Sequence, residues 1–225
     1  ADFFAAFFGI LYAGGTAVPI YPPVRLNQLE DHIRQQARVL ANAGAKMLIA
    51  PPEARRVGQW LRASGAGLDQ VDTVESLSAI QGGATLHMNA APDAIALLQY
   101  TSGSTGDPKG VVLTHANLLA NIRAMCQAID VRPDDVFVSW LPLYHDMGLI
   151  GAWLGSLYHG VPVTIMSPLH FLARPANWLR AIHRHRGTLT AAPNFAYDLC
   201  LNKITDDEIA GVDLSSLRLA ANGAE

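Results

Sequence analysis

The chain alternates short apolar runs with longer segments of helical periodicity, and this alternation constrains the fold more than any other feature of the sequence. Helical spacing is clear in Leu29, Ile33, Ala37 and Leu40, which lie on one side of a predicted helix over 26–43. Because strands that alternate with helices through short connections usually form parallel sheets, the sequence predicts an α/β fold with a largely parallel sheet.

The other elements are predicted from apolar periodicity and from glycine, proline and capping residues. Helices are predicted over 3–13, 53–63, 115–128, 175–186 and 194–201, with one more after a turn at 141–146. Strands are predicted over 16–20, 47–50, 70–75, 95–100, 111–113, 136–140, 161–166, 188–191 and 217–221. The segment 81–92 is polar and rich in Gly, Ala and Pro, so the chain is expected to divide near residues 82–93.

The segment 3–20 carries no charged side chain, and its length approaches that of a membrane span. Asp2 can cap a helix, however, and Gly14 and Gly15 can end it. The sequence therefore favours a buried helix followed by a short buried strand, without a membrane span. A membrane protein anchored by residues 3–20 is the alternative.

The charge balance and the cysteines limit the possible partners and compartment. The net charge is −3, with 50% apolar and only 16% charged residues, which favours a packed core and gives no support to nucleic-acid binding. Cys126 and Cys200 lie far apart without a CxxC pattern, which favours reduced thiols in a cytoplasmic protein.

A polar loop separates two of the predicted strands. Residues 101–109 contain four hydroxyl side chains, two glycines and Lys109. Hydroxyls and free backbone N–H groups donate to phosphate oxygens, glycines let the backbone come close, and lysine adds a positive charge, so the loop predicts a polyphosphate site. A surface hairpin turn of small residues is the alternative. The spacing excludes a P-loop, a dinucleotide-binding fingerprint and a kinase glycine-rich loop.

The string LQYTSGSTGDPK, from Leu98 to Lys109, resembles the AMP-binding signature of the adenylate-forming superfamily. Three other segments, PLYHDMGLIG from Pro142, HFLARPANWL from His170 and AAPNFAYDLC from Ala191, are most similar to fatty acyl-AMP ligases. The resemblance implies that residues 1–225 are part of the large N-terminal domain of that superfamily, with mostly parallel sheets and helices on both faces. Because the chain lacks an initial Met and stops within a motif, we expect an incomplete domain, without its C-terminal domain and inactive alone.

The resemblance also implies roles for individual residues. Lys109 and His145 are the expected catalytic residues, with His145 beside the reacting carboxylate and the α-phosphate. The ATP phosphates are expected at Thr101, Ser102, Gly103, Ser104, Thr105, Gly106 and Lys109. The adenine is expected at Asn222, Gly223, Ala224 and Glu225. The acyl substrate is expected at His145, Met147, Gly148, Asn194, Phe195 and Tyr197. No residue is assigned to a metal.

From the residues alone, some of these positions have a plainer interpretation. His145 could cap the following helix, and Asp146 fits an N-terminal helix residue better than a metal ligand. Phe195 and Tyr197 could be ordinary core aromatics. A row of small residues in the next predicted helix fits either an alkyl chain along the helix or close helix packing: Gly148, Gly151, Ala152 and Gly155.

The reaction that the resemblance implies is ATP-dependent activation of a fatty acid to an acyl-adenylate, with Mg²⁺ as cofactor and pyrophosphate as the leaving group. The acyl group is expected to pass to an acyl carrier protein or to the loading domain of a polyketide synthase. The alternatives are a fatty acyl-CoA synthetase, with CoA as acceptor, and a non-catalytic nucleotide-binding module. Since a carboxylate is already ionised at neutral pH, the reaction requires in-line positioning and charge neutralisation rather than a general base.

Overall fold

A computed structural model describes residues 2–22, 29–80, 90–101 and 108–223 of the chain. Contacts within the chain divide it into two compact units, Ala1–Asn117 and Leu118–Glu225. The described part of each unit contains both helices and strands, so each is a mixed α/β structure.

The described part of the first unit begins with two helices and continues with short strands. Its helices are α1 (Asp2–Tyr12), α2 (Leu29–Asn42), α3 (Arg55–Ala63, after a 3₁₀ turn at Pro52–Ala54) and α4 (Val74–Ser78). Its strands are β1 (Met47–Ile49), β2 (Gln70–Asp72), β3 (Ile95–Thr101) and β4 (Lys109–Thr114). β1 and β2 pair in parallel, whereas β3 and β4 form an antiparallel hairpin.

Helix α2 follows directly from its apolar pattern. Ile33, Ala37 and Leu40 are buried and form one cluster with Leu61 of α3. After the helix, Gly44 has a φ of +64°, a left-handed conformation that glycine adopts without strain and that ends many helices. The predicted helix and its glycine stop are confirmed.

The N-terminal segment differs from its prediction. Within α1, Phe7 is the only buried residue, so the helix is largely accessible. Residues 16–20 form no strand: an isolated parallel bridge joins Ala17 to Leu97, and Pro19 has no N–H with which to extend a ladder. The predicted helix over 3–13 is confirmed as α1, whereas its predicted burial and the predicted strand over 16–20 are wrong. In the part of the chain that the structure describes, no helix has the length and apolar character needed to cross a bilayer.

The second unit is built on a four-stranded sheet. The strands are β5 (Phe137–Ser139), β6 (Val163–Ile165), β7 (Leu189–Ala192) and β8 (Leu219–Asn222). They are parallel and lie in the order β6–β5–β7–β8. The helices that belong wholly or mainly to this unit are α5 (His115–Ala128), a π-helix (Met147–Leu154), α6 (Gly155–His159), α7 (Pro168–Ala173), α8 (Ala176–His185) and α9 (Asn194–Lys203), with a 3₁₀ turn at Asp206–Ile209.

The core of the second unit lies around β5, α7 and α8. Val138, Phe171, Trp178 and Ile182 are buried in one cluster. The indole Nε1 of Trp178 donates to Thr190 Oγ1 at 3.0 Å, and that hydroxyl donates to the Val138 carbonyl at 2.7 Å. The Trp178 indole N–H and the Thr190 hydroxyl are therefore both hydrogen-bonded inside the core, which offsets the cost of removing them from water.

The predicted α/β fold with parallel sheets is confirmed, although the sheets are small. Besides the N-terminal segment, three elements differ from their predictions. The segment predicted as a strand to residue 75 turns into α4 instead, because Thr73 and Ser76 form a capping box. Helix α7 is missing from the sequence prediction, although Ser167 at the N-cap followed by Pro168 is a typical helix start. The helix after the 141–146 turn is wound largely as a π-helix.

Candidate functional site

Polar side chains follow β5, β7 and β8 at the edge of the sheet where these parallel strands end. His145 and Asp146 lie in the turn after β5, Asn194 begins α9 shortly after β7, and Asn222 ends β8. Ligands of open α/β sheets usually bind at this edge. We call these four residues and Gly223 the carboxyl edge.

The turn after β5 places His145 next to Asp146. Nδ1 of His145 lies 2.7 Å from Asp146 Oδ1, and both side chains are more than half exposed. The Met147 N–H donates to Asp146 Oδ1 at 2.7 Å and, over the longer distance of 3.4 Å, to His145 Nδ1. Asp146 therefore supplies the shorter capping contact of the π-helix, as its predicted position suggested, and His145 supplies a weaker one through Nδ1.

The glycines of the π-helix region have different local surroundings. A Cβ added at Gly148 would lie 2.3 Å from the Pro142 carbonyl oxygen, so only glycine allows the helix to start this close to the preceding turn. A Cβ added at Gly151 would meet no atom within 4 Å in the described structure. Of the two interpretations of the small residues, close packing accounts for Gly148, whereas Gly151 borders open space. π-helical turns are frequent at functional sites.

Helix α9 contacts the end of β8 through two side chains that lie one helical turn apart. Tyr197 Oη donates to the Ala221 carbonyl at 2.8 Å. Asn194 Oδ1 accepts from Asn222 Nδ2 at 3.2 Å. Burial raises the pKa of Tyr197, so its hydroxyl keeps its proton at neutral pH and remains a donor. The polar groups after β7 and β8 are thus joined directly.

Gly223 brings the start of the π-helix into the same group. Its N–H donates to the Ala192 carbonyl at 3.2 Å. A Cβ added at Gly223 would lie 3.7 Å from Met147 Cε. Of the residues predicted for the site, the structure therefore brings Met147, Asn194, Asn222 and Gly223 together at the carboxyl edge.

An aromatic cluster lies beside the start of α9. Trp140 stacks on Phe171 with ring centroids 4.0 Å apart, and Phe195 meets Trp140 edge-on at 6.0 Å. Trp140 and Phe171 are buried, whereas Phe195 is 51% exposed. The sequence analysis missed Trp140 and Phe171, although both stand inside or next to the segments it singled out. Of the three rings, that of Phe195 is therefore the one available for contact with an apolar chain.

The polar loop of the first unit connects two paired strands, as predicted. Thr101 pairs with Lys109 across the hairpin, and Lys109 is exposed. The hairpin is fixed below the loop, because Tyr100 lies over Gly110, where an added Cβ would be 2.9 Å from the tyrosine ring. The other residues predicted for the loop and for the adenine lie outside the described residues, so their roles stay predictions: Ser102, Gly103, Ser104, Thr105, Gly106, Ala224 and Glu225.

His, Cys, Asp and Glu side chains are the usual metal ligands of proteins. Across residues 2–22, 29–80, 90–101 and 108–223, no three such side chains stand close enough together to hold a metal ion. The structure therefore assigns no metal ligand set within those ranges.

The whole chain matches a known family and has a curated relative of similar sequence. A family profile described as AMP-binding enzyme matches residues 1–225. The medium-chain-fatty-acid–acyl-carrier-protein ligase JamA of Moorena producens (strain JHB) is 37% identical over 232 residues, which cover 100% of this chain and 38% of JamA. The chain thus spans about two fifths of the length of that relative.

Solved structures give the same result for the fold. A structure from a study of fatty acyl-adenylate ligases of E. coli and L. pneumophila matches with a TM-score of 0.93 and 35% identity, over 100% of this chain and 40% of that one. A fatty acyl-adenylate ligase of L. pneumophila in complex with acyl adenylate and pyrophosphate matches with a TM-score of 0.85 and 36% identity, over 99% of this chain and 38% of that one. Similarity in sequence and in fold therefore extends over nearly the whole chain.

Proposed function

The chain belongs to the family of AMP-binding enzymes, and on that premise we propose that the full-length protein activates a fatty acid with ATP. A carboxylate oxygen of the fatty acid attacks the α-phosphorus, pyrophosphate leaves, and an acyl-adenylate forms. The observation that carries this proposal is the carboxyl edge, where His145, Asn194 and Asn222 lie at or after the ends of three neighbouring parallel strands. The 36% identity to a ligase crystallised with acyl adenylate and pyrophosphate supports it.

The chemistry requires two anions to be held in line while negative charge is stabilised. His145 is suited to this because its Nδ1 is engaged with Asp146, which fixes the ring and leaves Nε2 for a ligand. In the imidazolium form, Nε2–H donates to an oxygen of the reacting carboxylate or of the α-phosphate. Lys109, exposed at the end of the hairpin, supplies positive charge to the phosphates.

The remaining assignments follow the same division between nucleotide and acyl group. The loop residues proposed for the ATP phosphates with Lys109 are Thr101, Ser102, Gly103, Ser104, Thr105 and Gly106. The adenine is assigned to Asn222, Gly223, Ala224 and Glu225. The resemblance assigns the acyl substrate to His145, Met147, Gly148, Asn194, Phe195 and Tyr197. Of these, Phe195 has an exposed ring beside Trp140, whereas the Tyr197 hydroxyl is bonded to the protein backbone.

Mg²⁺ is the expected companion of ATP. It typically takes one or two carboxylates together with phosphate oxygens rather than a complete protein cage. The described residues do not supply a group of three ligands, so none is assigned to the ion and no step depends on it. When bound, Mg²⁺ would neutralise phosphate charge.

We assign the acyl acceptor to a carrier protein, including the loading domain of a polyketide synthase, rather than to CoA. The support is the relative JamA, whose name describes transfer of medium-chain fatty acids to acyl carrier protein. A cytoplasmic location goes with this assignment, because ATP and carrier proteins are found there.

The acceptor is tested by giving the full-length protein ATP, Mg²⁺ and a medium-chain fatty acid, together with either carrier protein or CoA. Discharge of acyl-AMP by the carrier alone supports the assignment, and rapid acyl-CoA formation identifies a synthetase.

Activation itself is tested by fatty-acid-dependent exchange of pyrophosphate into ATP. Lys109→Ala in the full-length protein is expected to lower the exchange rate about 10- to 100-fold, because one charged group at the phosphates is lost. Lys46→Ala is the matched control, since Lys46 is an exposed lysine of the same unit that follows Gly44 at the end of α2. Equal exchange rates in both variants would contradict the role of Lys109. Nucleotide binding without any exchange in the wild type would identify a non-catalytic binding module.

A further inference from the structure

We propose that Tyr197 is a positioning residue for the nucleotide: it holds the end of β8 in place for the adenine rather than contacting the acyl chain. This inference rests on the proposed function, because it distributes residues of the same site between the two substrates. It concerns the hydrogen bond from Tyr197 Oη to the Ala221 carbonyl at 2.8 Å. Ala221 directly precedes Asn222 and Gly223, which are assigned to the adenine.

The hydroxyl of Tyr197 is already committed to the protein backbone. A phenol has one proton to donate, and here it is donated to Ala221 O. The ring is held by Trp178, with centroids 5.6 Å apart, and the side chain is half-buried. A tyrosine fixed at both its ring and its hydroxyl has little freedom to follow acyl chains of different length. Phe195 differs, because its ring is 51% exposed.

The contact lies at the end of the last strand of the described sheet, whose hydrogen-bonded neighbour is β7. The N–H groups of Leu219 and Gly223 donate to backbone carbonyls at or next to the two ends of β7, so in this parallel register the Ala221 carbonyl also faces β7. A carbonyl oxygen has two lone pairs, and Tyr197 Oη donates to this one from helix α9. The hydroxyl therefore adds a side-chain contact to the ladder at the point where β8 ends.

A second contact from the same helix strengthens the assignment. Asn194, one turn before Tyr197 on α9, accepts from Asn222 Nδ2 at 3.2 Å. Two contacts one turn apart align the end of β8 with the start of α9. On the β7 side, the Gly223 N–H donates to Ala192 O at 3.2 Å. The backbone assigned to the adenine is therefore held by contacts from both α9 and β7.

The test separates the KM for ATP from the KM for the fatty acid in the exchange assay with the full-length protein. Tyr197→Phe keeps the ring and removes the hydroxyl, so the KM for ATP is expected to rise about 3- to 10-fold with the fatty-acid KM unchanged. Tyr158→Phe is the matched control. The Tyr158 hydroxyl also has a hydrogen-bond partner, Arg123 Nε at 2.8 Å, but Tyr158 lies on α6 and not on α9. Neither KM is expected to change in this control.

Asn194 gives an independent variant pair. Asn194→Ala removes the acceptor for Asn222 and is expected to raise the KM for ATP. Asn194→Asp keeps an acceptor oxygen and is expected to restore the wild-type KM. A rise in the fatty-acid KM alone for Tyr197→Phe, or no change in either KM, would overturn the proposal.

A measurement without substrates distinguishes this proposal from the proposed function. Hydrogen exchange at the amides of Asn222 and Gly223 is expected to be faster in Tyr197→Phe than in the wild type and in Tyr158→Phe. If the wild type lacks fatty-acid-dependent exchange of pyrophosphate, the proposed function fails, while faster hydrogen exchange still supports the positioning role. Unchanged amide exchange would overturn the positioning role even in an active enzyme.

Discussion

The sheet of the second unit has two polar edges made by the same three strands, and they differ in how their polar groups are satisfied. At the edge where the strands begin, Asp135 precedes β5, Thr188 precedes β7 and Arg218 precedes β8. Asp135 is only 2% exposed. It accepts from Arg218 Nη2 at 2.6 Å, from Thr188 Oγ1 at 2.6 Å and from the Arg132 N–H at 2.8 Å. We call Asp135, Thr188 and Arg218 the amino edge.

The carboxyl edge has the opposite character. His145 and Asp146 are 53% and 64% exposed, and Asn194, Asn222 and Gly223 are also exposed. A buried charge is tolerated only when its partners satisfy it, whereas exposed polar groups stay solvated until a ligand replaces the water. The comparison indicates that the amino edge stabilises the sheet, while the carboxyl edge keeps donors and acceptors available for binding.

The largest expected effect is on stability at the amino edge. Asp135→Ala in the full-length protein is expected to lower the free energy of unfolding by about 3 kcal/mol, because it leaves Arg218 without its buried partner. Urea denaturation measures this change. Asp146→Ala, at the carboxyl edge, is the matched control and is expected to cost about 1 kcal/mol through the lost cap. Equal losses in the two variants would remove the distinction between the edges.

The next effect is on the rate of chemistry at the carboxyl edge. His145→Ala is expected to lower the adenylation rate about 100-fold, because it removes a donor near the developing charge. The unfolding free energy should fall by less than about 1 kcal/mol, since the side chain is largely exposed. His159→Ala, an exposed histidine at the end of α6, serves as control in the same rate and urea assays. A large loss of stability with a near-normal rate would assign His145 to packing.

A smaller effect on stability is expected at Gly148, which is tightly packed at the start of the π-helix. Gly148→Ala places a methyl group against the Pro142 carbonyl and is expected to cost about 2 kcal/mol of unfolding free energy. Gly151→Ala meets open space in the described structure, so it should be neutral or stabilising by up to about 1 kcal/mol. Thermal unfolding of both variants makes the comparison. Similar destabilisation by both would mean that the two glycines have equivalent surroundings.

The smallest effect is the pH dependence of the amino edge. Burial alone would raise the pKa of Asp135, but hydrogen bonds from Arg218, Thr188 and the Arg132 N–H outweigh it and hold the pKa below its ordinary value of 3.8. The unfolded chain therefore binds the proton more readily, and the stabilisation present above pH about 4 is lost as the pH falls through the folded pKa.

Urea midpoints measured between about pH 6 and pH 3 test this pH dependence. Asp135→Asn lacks the titrating carboxyl, so its midpoint should fall less steeply than that of the wild type over this range. Parallel pH profiles would show that Asp135 does not titrate differently in the folded and unfolded states.

Much of the fold could be predicted because the relevant signals are local. Helix α5 occupies His115–Ala128, the predicted bounds, since its apolar spacing and flanking residues are contained within a single segment. The strand–loop–strand arrangement around Lys109 is likewise visible in consecutive residues. The start of α7 was also locally encoded by Ser167 and Pro168, so its absence from the prediction was an error of interpretation.

Other features could not be predicted, because they depend on residues far apart in the chain. Asp135 meets Thr188 across 53 positions and Arg218 across 83 positions. Trp140, which follows β5, stacks on Phe171 of α7. In the sequence, neither residue can be distinguished from an ordinary core aromatic. The accessibility of α1 could not be predicted either, because the apolar sequence of a helix does not specify which other residues cover it.

The sequence by itself determined the alternation of strands and helices, the polar loop between β3 and β4 and the AMP-binding signature, because each of these features lies within a short stretch of consecutive residues. Only the tertiary structure decided which polar groups become partners. The order β6–β5–β7–β8 places β5 beside β7 and β7 beside β8. That order pairs Asp135 with Arg218 at one edge and Tyr197 with Ala221 at the other. Strand order depends on how all the apolar surfaces are buried together, and no local pattern specifies it.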